Sequence, residues 1–249
     1  MKKEMSPLMG DPVILCPPKA AAALLDDGHS LVCIVRHGQT DWNVEMKLQG
    51  RECVPLNDHG RSQARRCAEM LASAADLGLR PSAIFTSPLS RAKETADIIA
   101  ARLGLETVET EEMLIERNYG ELSGLTLSER HARFPKGERQ ARGVESVAAA
   151  AVRMKKAMYR INRATRGKTV LAVTHGGTLN ALFIKNTRGK IGTGKNISPN
   201  CGVSLMAVNM NVAIPLAYGL KGDAFLDYIS GVYSGADPEG RHEPAETVQ

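Results

Sequence analysis

Aromatic residues make up only 4% of this 249-residue chain, with a single tryptophan, Trp42. Stacking platforms for single-stranded nucleic acid need more than that, and no recognisable nucleic-acid module is present. No apolar run approaches the roughly 18 to 20 residues that span a bilayer; runs such as 31–35 and 170–173 are strand-sized. No membrane association is therefore expected. Five cysteines, Cys16, Cys33, Cys53, Cys67 and Cys201, are odd in number and widely spaced, without a Cys-x-x-Cys pair. They read as reduced, mostly buried thiols in a cytoplasmic protein. Neither a His-Glu-x-x-His motif nor a Cys/His cluster suggests a metal. Lys2 and Lys3 are followed by Glu4 and a Pro-interrupted stretch, which does not fit a secretory signal.

What is present is an ordinary globular composition, 43% hydrophobic and 24% charged, enough at this length for a full core. The formal charge of +5 conceals an asymmetry. Residues 130–222 carry 17 Lys and Arg against two acids, Glu138 and Glu145, so the rest of the chain is strongly acidic. A solvated basic helix face, an anionic small-molecule site or a nucleic-acid surface would each explain this sorting.

Residues 1–30 are rich in Pro and Ala without a sustained period and read as an N-terminal extension. Residues 231–249 read as a disordered tail. Between them, β-branched runs at 31–35, 83–86, 170–174 and 203–208 alternate with helical patterns at 60–75, 88–103, 145–163 and 177–185. This alternation predicts one α/β domain over 31–230, a three-layer α/β/α sandwich around a mostly parallel sheet. The helix after Glu145 places Val147, Ala150, Ala151, Met154, Met158 and Ile161 on one face, and Arg153, Lys155, Lys156 and Arg160 mostly on the other. Gly-Thr-Gly-Lys at 192–195 resembles part of a phosphate-binding loop, but lacks the first glycine and the preceding strand.

The chemistry concentrates where strands end. The run 31–35 leads into Arg36-His37-Gly38, and the run 170–174 into His175-Gly176-Gly177. Open α/β sheets bind ligands at the carboxyl ends of their strands. A lone histidine there is usually structural; two such strands, if neighbours, bring two imidazoles together. Gly38 removes a side chain where a ligand could approach the backbone. A third strand end, Thr86-Ser87-Pro88, opens a helix with Pro88 near its first position and Arg91 in its first turn. A cation there opposes the helix dipole, so Arg91 fits better as a phosphate ligand.

Arg36-His37-Gly38, Asn43, Ser87-Pro88-Leu89-Ser90-Arg91-Ala92 with Thr95-Ala96, Glu116 before Tyr119-Gly120, and His175-Gly176 together resemble the histidine phosphatase superfamily, which includes the cofactor-dependent phosphoglycerate mutases. The resemblance covers residues 31–208 and implies a phosphoglycerate mutase-like fold. It implies that His37 is the nucleophile, forming a phosphohistidine, and that Arg36, Arg91 and His175 clamp the phosphoryl oxygens. Glu116 would be general acid and then base, although Glu109, Glu111, Glu112 and Glu116 could by composition be one solvated acidic run. Substrate binding would fall to Arg36, Gly38, Asn43, Gln49, Gly50, Arg91, Tyr119 and Gly176. No cofactor and no metal are implied.

A mutase and a phosphatase of this type share that machinery and differ in which hydroxyl receives the phosphoryl group. Mutases carry a long insert with paired arginines between the acid and the second histidine. Here only one short helix, near 127–134, and a short loop precede Glu145, and His175-Gly176-Gly177 departs from the mutases' usual His-Gly-Asn. A less enclosed phosphoenzyme favours hydrolysis. The expected function is a metal-independent phosphatase acting on a small phosphate ester, with a mutase as the first alternative. A catalytically inactive phospho-ligand-binding protein is the second.

Overall fold

Every run read as a strand is a strand in the computed structural model, which describes residues 11–192 and 196–234. In chain order the elements are β1 (Val13–Ile14), α1 (Pro18–Asp26), β2 (Ser30–Arg36), α2 (Asp41–Val44), α3 (Asp58–Asp76), β3 (Ile84–Thr86), α4 (Ser90–Leu103), β4 (Val108–Thr110), α5 (Leu127–Arg133), α6 (Val147–Thr165), β5 (Val170–Thr174), α7 (Gly176–Asn186), β6 (Val203–Val208), β7 (Ala213–Leu220) and α8 (Gly222–Tyr233). One sheet runs β1-β7-β6-β2-β5-β3-β4. Leu31, Cys33 and Val35 of β2 face a core shared with α1, α3, α4 and α8, while Val32 and Ile34 face the core under α6 and α7. That alternation is what a strand buried on both faces requires.

The α/β sandwich is as expected, but the sheet is mixed rather than mostly parallel. The pairs β2–β5, β5–β3 and β3–β4 are parallel, and β2–β6, β6–β7 and β7–β1 are antiparallel. The reason is the connection between β6 and β7. The Asn209 side chain accepts from the backbone N–H of Asn211 and of Val212, closing a tight turn. Such a turn can join only antiparallel strands; a parallel pair needs a crossover. Pro215 and Gly219 make β7 hard to recognise from the sequence, and Pro215 sits where the β6–β7 register shifts.

Residues 13–30 are not a loose extension. Two of them pair with β7, and α1 begins with Pro18 in its first turn and buries Ala21. The Tyr228 hydroxyl of α8 donates to the Cys16 carbonyl at 2.9 Å, fastening this segment to the domain. At the other end α8 continues to Tyr233, past the expected boundary at 231. The tail from 235 onward, and Thr193, Gly194 and Lys195 of the phosphate-loop-like stretch, lie outside the described residues.

The topology places the strand ends side by side. Arg36 pairs with Thr174 and Thr86 with Val173, so β2, β5 and β3 finish level at one edge of the sheet.

Candidate active site

His37 leaves the end of β2 with its backbone N–H donating to the Thr174 carbonyl at 3.0 Å. Its ring Nδ1 lies 2.6 Å from the Gly38 carbonyl. A carbonyl can only accept, so Nδ1 carries the proton and Nε2 presents its lone pair. Burial, then the Arg91 and Arg36 charges, hold the ring's pKa well below the ordinary histidine value, outweighing the opposing bond to Gly38. A buried neutral imidazole with an open Nε2 is the form that attacks an electrophile.

His175 is the residue before α7 and continues β5. Its Nε2 lies 2.7 Å from the Ser87 hydroxyl at the end of β3, and its buried Nδ1 has no partner among the described residues. The two imidazole centroids are 5.1 Å apart, tilted by 54°. Burial, Arg91 and His37 hold this ring neutral as well. In an unfolded chain both rings take a proton near pH 6.5, whereas the folded site resists it, so acid favours unfolding. Stability is full above that pH. Below it each ring forfeits about 1.4 kcal/mol per pH unit until its lowered folded pKa is reached. Thermal midpoints should fall between pH 7 and pH 5, and less steeply in His37→Ala; equal slopes for the two proteins would contradict the neutral state.

The arginines are more occupied than the sequence suggests. Arg36 Nη1 donates to the Ser198 carbonyl at 2.6 Å. Arg91, fully buried, donates from Nη1 to Glu52 O and from Nη2 to Gly50 O, both at 2.8 Å. Burial lowers the Arg91 pKa to about 10, which leaves it charged at neutral pH. Each guanidinium keeps one buried Nε without a partner among the described residues. Arg91 is therefore both a cation at the strand ends and the anchor of the loop bearing Gln49 and Gly50. Its helix starts at Ser90, after Leu89, so Pro88 stands outside the first turn rather than in it.

Glu116 is buried, not part of a solvated run, whereas Glu109 and Glu112 are exposed. Its Oε1 accepts from the N–H groups of Arg117 and Thr178 at 2.7 Å and from the Thr178 hydroxyl at 3.0 Å; its Oε2 accepts from Gly177 N–H at 3.0 Å. The N-terminus of α7 has no side-chain cap of its own, so Glu116 caps it from a distant loop. The acid is thereby tied to the helix that begins at His175. Arg51 and Arg153 hold the Glu116 loop from behind. Arg51 Nε donates to Glu116 O at 3.2 Å, and Arg153 Nη1 to Met113 O and Ile115 O at 2.7 and 2.8 Å. Both arginines also pair with Glu145. Arg153 is thus an exception to the expected solvated face of α6. Its position three residues after Ala150, at the border of the buried stripe, was the available signal.

Asn43 completes a capping box with Thr40 at the start of α2. Its Oδ1 also accepts from Asn200 Nδ2, which in turn donates to the His37 carbonyl. Gln49 is buried with its Oε1 unpartnered among the described residues, and Gly50 adopts φ +53°, where a Cβ would press on the Ser123 hydroxyl. Gly38 proves to be glycine for packing. A Cβ there would lie 2.6 Å from the Gly60 carbonyl of α3, so the space goes to a helix rather than to a ligand. Ser87, Thr178, Ser198, Asn200, Arg51 and Arg153 complete the site. Sequence reading missed them because each acts through a partner remote in the chain.

The family model described as histidine phosphatase superfamily (branch 1) matches residues 32–213. The uncharacterized phosphatase PhoE of Bacillus subtilis is 38% identical over 159 residues, covering 64% of this chain and 78% of that protein. A 2,3-bisphosphoglycerate-dependent phosphoglycerate mutase of Azorhizobium caulinodans is 31% identical over 209 residues, covering 78% and 94%. Among solved structures, a mycobacterial glucosyl-3-phosphoglycerate phosphatase complexed with VO3 superposes with a TM-score of 0.65 at 25% identity, covering 74% of this chain and 95% of that one.

Proposed function

Since the chain belongs to the histidine phosphatase superfamily, we propose that it is a phosphomonoester phosphatase that acts on a small phosphorylated metabolite through a phosphohistidine on His37. The observation that carries this reading is the pair of imidazoles of His37 and His175, 5.1 Å apart between ring centroids, at strand ends that also carry Arg36 and Arg91, with Arg36 Nε, Arg91 Nε and His175 Nδ1 buried and unpartnered among the described residues. A tetrahedral oxyanion supplies the partners those atoms lack. Nε2 of His37 attacks phosphorus, and the two arginines hold the nonbridging oxygens, where fixed charge stabilises the transition state. Oε1 of Glu116 already accepts three bonds and Oε2 one, so Oε2 has room for the proton that goes to the leaving alkoxide. It then takes a proton from the water that attacks the phosphohistidine.

Hydrolysis is favoured over transfer by what borders the acid. Between Tyr119 and α6 the structure has only α5 and single turns of 3-10 helix at Gly120–Leu122 and Glu138–Gln140. The nearby arginines Arg117, Arg142 and Arg51 each pair with a carboxylate, of Glu138, Glu121 and Glu145. Of these only Arg117 is buried; Arg51 and Arg142 form exposed pairs, and Arg130 donates to the Thr126 carbonyl without a carboxylate partner among the described residues. The second reading, a mutase, draws support from the Azorhizobium relative, which aligns over almost its whole length. With 3-phosphoglycerate and its bisphosphate, the phosphatase reading predicts phosphate release or no reaction. Isomerisation at turnover rates without matching phosphate release would decide for the mutase.

A further inference from the structure

The two glycines that open α7 differ in what surrounds them. A Cβ on Gly176 would meet Arg36 Nε at 3.3 Å, a tight but yielding contact. A Cβ on Gly177 would fall on the Tyr119 hydroxyl, 3.2 Å from Tyr119 Cζ and 2.9 Å from Glu116 Oε1. The backbone does not require glycine here, because Gly177 is absent from the positive-φ residues. The requirement comes from the site: a phenol and the candidate general acid converge on the point where a side chain would begin.

Neither group has an easy retreat. Arg117 lies over the Tyr119 ring at 5.3 Å, and Tyr119 forms a β-bridge with Val144. The Gly50 loop lies next to the ring, where a Cβ at position 50 would be in ordinary contact with Tyr119 Cδ2 at 3.5 Å. Glu116 is held by its four donors, one of which is the N–H of Gly177 itself. Burial and the Glu116 charge raise the phenol's pKa, so the hydroxyl keeps its proton.

We infer that Gly177 is a positioning residue: its missing side chain is the notch in which Tyr119 closes beside Glu116, fixing the carboxyl for proton transfer to the leaving group. The inference rests on Glu116 being the general acid. A side chain at 177 must displace the phenol, the acid or the end of α7.

The test compares wild type, Gly177→Ala, Tyr119→Phe and the double variant on two esters. With p-nitrophenyl phosphate the leaving anion needs no proton; with glycerol 2-phosphate it does. Gly177→Ala should lower kcat on glycerol 2-phosphate about 10²-fold, as misplacement of a catalytic group does, and on p-nitrophenyl phosphate by less than about tenfold. The double variant, relieved of the hydroxyl, should regain part of the loss. Equal losses on both esters, or a double variant no better than Gly177→Ala, would overturn the inference. If wild type hydrolyses neither ester, the phosphatase reading has failed, and thermal midpoints decide this one. The destabilisation caused by Gly177→Ala should shrink in the Tyr119→Phe background; purely additive midpoints would refute the notch.

Discussion

Phosphate release should fall by about 10⁴-fold or more when His37, the proposed nucleophile, is replaced by alanine, because nothing else in the site would take its place. His175 is the nearest imidazole among the described residues, but its Nε2 is engaged with the Ser87 hydroxyl. The protein should remain folded. Among the described residues the His37 ring has one hydrogen bond, to the adjacent Gly38 carbonyl, and removing one such partner costs about 1–3 kcal/mol. Assaying phosphate release beside circular dichroism separates the two effects. A folded His37→Ala protein with more than about a hundredth of wild-type turnover would exclude His37 as nucleophile.

Glu116→Gln should lower kcat about 10²- to 10⁴-fold on esters whose leaving alkoxide needs a proton. The amide keeps the size of the carboxyl but cannot deliver that proton. It also turns an N–H₂ group toward donors, since every partner of the carboxylate, from Arg117, Gly177 and Thr178, is an N–H or O–H group. Loss of part of the α7 cap should therefore cost about 1 kcal/mol of stability as well. Comparing kcat on glycerol 2-phosphate and p-nitrophenyl phosphate checks this. Wild-type turnover of the alkyl ester by Glu116→Gln would remove Glu116 from the proton transfer.

The strand ends were readable in the sequence because their signal is local: a buried apolar run followed by Arg-His-Gly, His-Gly-Gly or Ser-Pro. Their pairing in the structure, with Arg36 beside Thr174 and Ser87 N–H on the Val173 carbonyl, turns three separate motifs into one edge. The helix from Val147 to Thr165 was equally legible from its buried Met154, Met158 and Ile161. What stayed hidden depends on distant partners. Glu116 caps a helix some 60 residues later, Arg91 grips carbonyls about 40 residues earlier, and Arg153 reaches back to Met113 and Ile115. No periodicity encodes such contacts. The segment from Val13 to Asp26 was misread for a related reason, since its strand is two residues long and takes its meaning from β7.

The sorted charge is also clearer. Arg153 belongs to the basic stretch, yet it is largely buried and paired with Glu145 behind the Glu116 loop. Part of the positive excess is therefore scaffold.

A phosphohistidine on His37 can be trapped. Wild type mixed with a ³²P-labelled ester that it hydrolyses, and stopped with denaturant at alkaline pH, should retain label on His37. That label should be lost on acid treatment, absent from His37→Ala and still formed by Ser87→Ala. Steady hydrolysis without any trapped label, or label undiminished in His37→Ala, would contradict a mechanism that passes through His37.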